Sequence, residues 1–530
     1  MFKHAFSVAL LAKAATAAPA DELIESLPEF GPPPTPQYSG FLDASAAGDG
    51  VHLHYWYATT DLPDPSTAPT ILWLNGGPGS SSIQAGWLQE LGPLLITAEG
   101  KLVENPYAWT KVGNVLAIDS PAGVGYSYCD ESLTGGGCVN TDNSTAAHTR
   151  AALQDFFSSK FPELAANPFF ITGESYAGVY VPTLTREVLD NAPEINLVGI
   201  GVGDPCTDNE SQKISMDSIW YSHKYGFLPD DQYDFLWNNC SARYPSLDMD
   251  GPKKGKWAIK SVAKPTMKNQ SPECTLAMRK FLLASSKGLS QEWNHQWIND
   301  YFLYGPSGQG PNGPLAIDDV TAKYMMRDDV KKALHVESSP NKDWPGPSDK
   351  WSYTSQYAAC NDNAPPGTPS MVDIYRYIAP KLQTTIVYNG DSDPCVTYEG
   401  TRNAVAKVGF PIVPGGDYRP WFFNMTAAEA GFVESKPLIF GPALSVIGGG
   451  SQFAGHIVNY ENNLSFVTIH GSGHMVPQFR PRPALHFLKV LTSFGVLSPL
   501  TVPDDKMASM DDAEFSKYMD DWTVRAKMTI

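Results

Sequence analysis

Residues Phe169 to Gly178 read FFITGESYAG. A short apolar run ends in glycine, an acid, a serine and small residues, and helical spacing follows over Val181 to Leu189. The pattern is strand, tight turn, helix. A serine on such a turn is lifted clear of the sheet, at a helix N-terminus that favours developing negative charge. The turn crowds backbone against its neighbours, so the residues beside the serine must be small. Here Ala177 stands two places after Ser175, where a GxSxG pattern has glycine.

Outward from this stretch the same grammar recurs. His52 to Tyr57 alternates like a strand. Pro69 to Leu74 and Val115 to Ile118 are short apolar runs that end in Gly-rich turns, and Thr145 to Phe161 reads as a helix. Alternating strands and helices specify an α/β fold, a mostly parallel central sheet with helices on both faces. From about Asp204 to about Lys350 the chain turns rich in Lys, Asn, Pro, Ser and Trp without clear strands, which reads as a helical cap inserted over the sheet. Strand character returns at Thr384 to Tyr388 and at Leu464 to Ile469, and Pro481 to Phe494 reads as a helix. Phe515, Tyr518, Met519 and Trp522 fall at helical spacing and read as a packing face. The expected division is a leader over 1–18, core over 19–203, cap over 204–350, core again over 351–497, and an acidic tail over 498–530.

Lys and Arg number 38 against 56 Asp and Glu, a net charge of −18 that repels phosphate backbones and speaks against a nucleic-acid partner. The first residues combine Lys3 and His4, an apolar run from Ala5 to Ala12, and the small-residue site Ala15-Thr16-Ala17, the pattern of a secretory leader. No later stretch approaches the roughly 20 apolar residues of a membrane span. Sequons at Asn143, Asn209, Asn239, Asn269, Asn424 and Asn463 agree with a secreted, vacuolar or lysosomal glycoprotein. Of the seven cysteines, Cys129 and Cys138 flank a Gly-rich loop, and Cys240 and Cys274 share one variable region; each couple is expected to pair. There is no CxxC or HExxH, so a metal site has little support, and serine chemistry of the kind read below needs no metal or organic cofactor. His52 and His54 share a strand face, which reads as a satisfied or solvated face rather than a metal site.

A nucleophilic serine needs a base, and the base an orienter, in the chain order serine, acid, histidine. Asn389-Gly-Asp-Ser-Asp-Pro394 and His470-Gly-Ser-Gly-His-Met-Val-Pro477 each follow a strand, where open α/β sheets place their sites. On the residues alone Asp391 or Asp393 can be the acid, and His470 or His474 the base. Asn75-Gly-Gly-Pro-Gly-Ser-Ser-Ser82 lacks the Lys-Ser/Thr ending of a phosphate loop and reads as an oxyanion loop, its glycines exposing backbone N–H groups. Asp119 to Tyr126 reads as structural turn chemistry lining the same cleft.

The segments WLNGGPGSSS from Trp73, DSPAGVGYSY, GESYAGVYVP, NGDSDP and GSGHMVP resemble, in this order, those of the serine carboxypeptidases. The similarity runs from about Ser39 to about Leu491 and weakens through the cap. It implies an α/β-hydrolase fold with Ser175 as nucleophile, His474 as general base and acid, and Asp393 as orienter. It also implies the backbone N–H groups of Gly77 and Tyr176 as oxyanion donors. The substrates implied are peptide or protein C-termini, cut one residue at a time through an acyl-enzyme. Recognition of the free carboxylate falls to Asn75, Glu90 and Glu174, with Trp73, Gly76, Cys395 and Met475 lining the same pocket. Two carboxylates would repel a third unless protonated, so an acidic optimum is implied. The alternative for Glu90 is a solvated helix residue. The family's glycine loop carries Cys where this chain has Ser80, leaving Cys360 without its usual partner or paired differently, with Cys206 a candidate. Two rivals keep the motifs but change the role: an acyltransferase using the same triad, and a protective binding partner of other hydrolases. A homodimer is compatible with the sequence.

Overall fold

The computed structural model describes residues 18–135, 137–243, 267–284, 318–341, 344–345, 350–435 and 449–528. The leader, except Ala18, and much of the cap lie outside them. One sheet of 11 strands organises the molecule. Its path uses β1 (Gln37–Asp43), β2 (Val51–Ala58), β3 (Thr70–Leu74), β4 (Asn114–Ile118) and β5 (Phe169–Glu174). It continues with β6 (Leu197–Gly203), β7 (Thr384–Gly390), β8 (Arg419–Met425), β9 (Gly450–Asn459) and β10 (Leu464–Ile469). The spatial order is β1-β2-β4-β3-β5-β6-β7-β10-β9-β8. The segment from β4 to β10 is parallel, and antiparallel strands extend it at both ends.

The parallel strands are apolar throughout because both of their faces are covered. Leu72, Leu74 and Ile171 join one core with α1 (Asp142–Asp155), α2 (Ala177–Asn191), α3 (Met371–Ile378) and α4 (Tyr398–Lys407). Ile71, Trp73 and Phe170 point the other way, into a core shared with Trp87 and with Phe487 and Leu491 of α5 (Pro481–Thr492). The helix expected from Val181 begins four residues earlier. Gly178 and Val179 already donate to the carbonyls of Ser175 and Tyr176, so the turn and the helix overlap. The hairpin of β8 and β9 went unanticipated because Pro420 and Gly455 interrupt its two strands. Pro420 is tolerated because β8 is an edge strand.

Between β6 and β7 the described residues include the helices Ser218–Lys224, Pro272–Ala284 and Asp318–Met325 and one short strand, Ser352–Thr354. The stripe expected in the tail is corrected by α6 (Asp512–Met528). Phe515 and Met519 stay 40% and 39% exposed, while Trp522 and Ala526 are buried and the Tyr518 hydroxyl accepts from Val502 N–H. The docked face therefore runs through positions 518, 522 and 526, each one turn on from the last. No helix among the described residues is long and apolar enough to cross a membrane.

Three disulfides join Cys129–Cys138, Cys206–Cys360 and Cys240–Cys274, as fits a protein of the secretory pathway. The second links residues 154 apart in sequence, just beyond the end of β6. Replacing Cys206 and Cys360 together by Ala should lower the unfolding free energy by about 2–5 kcal/mol. Calorimetry of the purified variant checks this, and an unchanged thermal midpoint would show that packing alone fixes this junction.

Candidate active site

Strand register brings the expected residues to one edge of the sheet. Leu74 pairs with Gly173, Gly203 with both Glu174 and Tyr388, and Gly390 with Ile469. The C-terminal ends of β3, β5, β6, β7 and β10 are thus level, and they release Asn75, Ser175, Asp204, the Asp391–Asp393 loop and the His470–His474 loop. β4 lies on one side of β3 and β5 on the other, so a crevice opens where the connections part.

Ser175 sits at φ 63°, a left-handed conformation that a side-chain-bearing residue holds only when its surroundings enforce it. Its N–H donates to Gly203 O at 2.9 Å, and its carbonyl accepts from Gly178 N at 2.8 Å and Cys206 N at 3.0 Å. The small flanking residues follow from contact distances. A Cβ on Gly173 would lie 2.4 Å from Leu74 O, and one on Gly76 2.2 Å from Tyr176 N. The glycine loop therefore lies against the serine turn, with Gly77 at φ 109°, a conformation suited to glycine. Ser175 and Gly77 are partly exposed, whereas Glu174, Tyr176, Asp393, Cys395, His474 and Met475 are buried.

Asp119 anchors that loop from below. Its Oδ1 accepts from Ser81 Oγ at 2.6 Å and Ile83 N at 3.3 Å, while Oδ2 meets His54 Nδ1 at 3.1 Å. His54 Nε2 meets Ser39 Oγ at 3.1 Å, so this histidine is a satisfied core residue, and His52 lies apart near Asp130.

The two acid and two histidine candidates form two parallel pairs. His474 Nδ1 meets Asp393 Oδ2 at 2.8 Å, and Asp393 Oδ1 accepts from Cys395 N at 2.7 Å. His470 Nδ1 meets Asp391 Oδ2 at 2.7 Å, and Asp391 Oδ1 accepts from Gly471 N at 2.7 Å. Burial separates them, for the His474 side chain is 4% exposed and that of His470 40%. The inner pair also lies close enough to the glutamates that the charge of His474 acts on Glu90 and that of Asp393 on Glu174. The outer pair ties the two loops together. Asp393, Cys395 and His474 bring possible metal-ligand atoms within 4.8 Å of one another, but both Asp393 oxygens are already engaged.

Asn75 ties the glycine loop to two acids. Its Oδ1 accepts from Trp73 Nε1 at 2.7 Å and Gly86 N at 3.0 Å, which fixes Nδ2 as the donor side. Nδ2 donates to Glu90 Oε1 at 3.1 Å and Glu174 Oε1 at 3.0 Å. Trp73 is wholly buried, and its Nε1 donates to Asn75. Glu90 belongs to a π-helix, Ile83–Leu91, and is buried, so the solvated-helix alternative is overturned. Burial raises its pKa to about 7, although hydrogen bonds from Asn75 and Glu174 oppose the shift. Glu174 is also held well above the carboxylate range, by burial first and then by the charge of Glu90. Glu90 Oε2 and Glu174 Oε2 have no donor when both acids are ionised, and a proton between them supplies one. Asp204, which the sequence reading left out, lies at the same edge with its pKa raised by burial and by Asp393.

A carboxyl that keeps its proton in the fold beyond its unfolded pKa stabilises the fold most below that unfolded value, and less as pH rises toward the folded one. Buried His486, lowered to about 4, works in the opposite direction, but equally in any variant that leaves it alone. The thermal midpoint of Glu90→Gln should therefore gain on that of the unaltered protein as pH rises from 4.5 to about 7. A constant gap across this window would mean that Glu90 is ionised throughout.

Comparisons with known proteins address the family and the fold. A family model described as serine carboxypeptidase matches residues 28–493. The lysosomal protective protein of Mus musculus is 30% identical over 512 residues, covering 88% of this chain and 93% of the mouse protein. Serine carboxypeptidase-like 20 of Arabidopsis thaliana is 29% identical over 522 residues, covering 89% and 92% of the two chains. Among solved structures, a prohormone-processing carboxypeptidase from Saccharomyces cerevisiae superimposes with a TM-score of 0.62 at 20% identity, covering 87% of this chain and 92% of the yeast one. That likeness supports the α/β-hydrolase fold. With the family model matched across nearly the whole sheet and its loops, this chain belongs to the serine carboxypeptidase family and is a hydrolase of that class.

Proposed function

We propose that the protein removes single amino acids from the C-termini of peptides and proteins through an acyl-enzyme on Ser175. The observation that carries this reading is the buried group of Asn75, Glu90 and Glu174, joined by hydrogen bonds and tied to Ser175 through Glu174, its neighbour in the chain. A serine hydrolase of simple esters has no need of two protonatable carboxyls there. An exopeptidase must recognise one negative carboxylate, and neutral acids that donate hydrogen bonds can do so.

In this mechanism Ser175 Oγ attacks the carbonyl carbon of the last peptide bond while His474 takes its proton. Asp393 accepts from His474 Nδ1–H, fixing the tautomer and supporting the imidazolium as it forms. The oxyanion lies against the N–H groups of Gly77 and Tyr176. His474 then protonates the departing amino acid, and a water activated by the same imidazole releases the shortened peptide. Gly76 permits the close approach of the glycine loop, Trp73 holds Asn75, and Cys395 and Met475 flank the inner pair. The protein acts in a vacuolar, lysosomal or extracellular setting on the acid side of neutrality.

Ser175→Ala should lower kcat by on the order of 10⁴-fold or more while leaving the circular dichroism unchanged. Labelling of another serine by a serine-directed phosphonate would sink the mechanism. Asp393→Asn should be far more damaging than Asp391→Asn, because only the former deprives His474 of its acceptor; the reverse ranking would move the site to the outer pair.

The pH dependence of recognition gives a separate test. Below the raised pKa values a protonated Glu90 or Glu174 donates to the substrate carboxylate; above them both acids repel it. KM for a peptide should therefore rise with pH, while KM for its C-terminal amide should not. Glu174→Gln, a permanent neutral donor, should flatten the peptide profile. Parallel profiles for peptide and amide in the unaltered protein would show that these acids do not read the C-terminus. Efficient acyl exchange onto small alcohols would favour the transferase alternative.

A further inference from the structure

Asp204 leaves β6 at φ 45°, its N–H donating to Tyr388 O at 2.8 Å. Its side chain is wholly buried. Oδ1 accepts from Gly390 N at 2.8 Å and from Asn389 Nδ2 at 2.9 Å. These two residues open the loop that carries Asp393, and Asn389 Nδ2 also donates across it to Val396 O at 2.8 Å. One end of Asp204 thus fastens the Asp393 loop to the end of β6. The other oxygen, Oδ2, is buried and receives no N–H or O–H, and the Asp204 carboxyl lies within reach of Asp393.

Two buried carboxyls in contact do not both ionise, so one must keep a proton. Asp393 is the better-supported anion, since Oδ2 faces His474 Nδ1 and Oδ1 accepts from Cys395 N–H. Oδ2 of Asp204 has no such support. A hydrogen on Asp204 Oδ2, directed at Asp393, gives that oxygen a role and removes the repulsion.

We propose that Asp204 is a positioning residue, a neutral carboxylic acid whose Oδ2–H donates to Asp393 and holds that carboxylate in place against His474. The proposal rests on the reading of Asp393 and His474 as catalytic partners. The titratable groups around Asp204 are Asp393, Glu174 and Tyr388, and the two acids act with burial to keep its proton on. When pH rises far enough to remove that proton, Asp393 loses a donor and gains an adjacent anion. The reaction therefore has an alkaline limit set behind the imidazole, separate from the limit set by Glu90 and Glu174.

The test uses a peptide ester or amide, which carries no C-terminal charge for the glutamates to read, and follows kcat and KM from acid to alkaline pH. Asp204→Ala should lower kcat by on the order of tenfold to 10²-fold through a misplaced Asp393, with KM nearly unchanged. Asparagine reproduces the neutral acid, its oxygen accepting from Gly390 and Asn389 and its amide donating to Asp393. Asp204→Asn should therefore recover most of the lost kcat at acid pH and keep it further into the alkaline range than the unaltered protein. Near-ultraviolet dichroism confirms that both variants are folded, and because Asp204→Asn keeps the shape it carries the test if Asp204→Ala does not fold. An Asp204→Asn variant that is poor at acid pH, or whose pH profile superimposes on that of the unaltered protein, would overturn the proposal. So would a folded Asp204→Ala of full activity. Full activity in Asp393→Asn would instead overturn the catalytic pair on which the proposal rests.

Discussion

Glu90, Glu174, Asp204 and Asp393 are buried around a single imidazole, that of His474. Water cannot screen them, and like charges so placed repel strongly. The chain answers with donors rather than cations. Asn75 Nδ2 bridges the two glutamates, while Gly390 N and Asn389 Nδ2 hold Asp204. Protons supply what these donors do not. The level strand ends make the arrangement possible, because five parallel strands deliver their following residues to one edge without long loops.

The acids also explain why the surrounding backbone is so constrained. Glu174 precedes Ser175, whose left-handed turn directs the two side chains to different places: the hydroxyl toward the opening, the carboxyl into the interior. The glycine loop must lie close enough for Asn75 to reach both glutamates, and a Cβ on Gly76 would prevent that approach. Asp119 holds the far side of the loop through Ser81 and Ile83. The Gly-rich loop is thus a fixed part of the site, tied at one end to the acids and at the other to the sheet.

Much of this was legible in the sequence because it is local. The strand-turn-helix at Phe169 to Gly178 and the strand from Leu464 to Ile469 carry their own periodicity and punctuation. The β8–β9 hairpin was not legible, since a proline and a glycine inside its strands are excused only by edge position and by close backbone packing against β10. The side of α6 that docks was likewise decided by what it meets, not by its own pattern. From residues alone Asp391 and Asp393 are equivalent, as are His470 and His474, because each loop offers both at similar spacing. The structure pairs both and separates them by depth. Asp204 gave no signal beyond a position, an acid directly after a glycine-rich strand on the same edge as the serine. Its significance comes from a contact with Asp393, nearly two hundred residues away.

Depth also reverses the usual relation between acid and stability. Ordinary carboxylates, paired on the surface, lose their contribution when protonated, which is how acid unfolds most proteins. Here burial raises the pKa of Glu90, Glu174 and Asp204, so they hold protons in the fold at pH values where the unfolded chain has lost them, and lowering the pH favours the folded site. The protons that spare this cluster its own repulsion are the ones that, in the proposed mechanism, let Glu90 or Glu174 donate to a bound carboxylate. Recognition and local stability therefore draw on the same titration. Substituting neutral amides for the acids would relieve the repulsion, but it would also remove the coupling to pH. Keeping acids in these places makes the site sensitive to the pH around it.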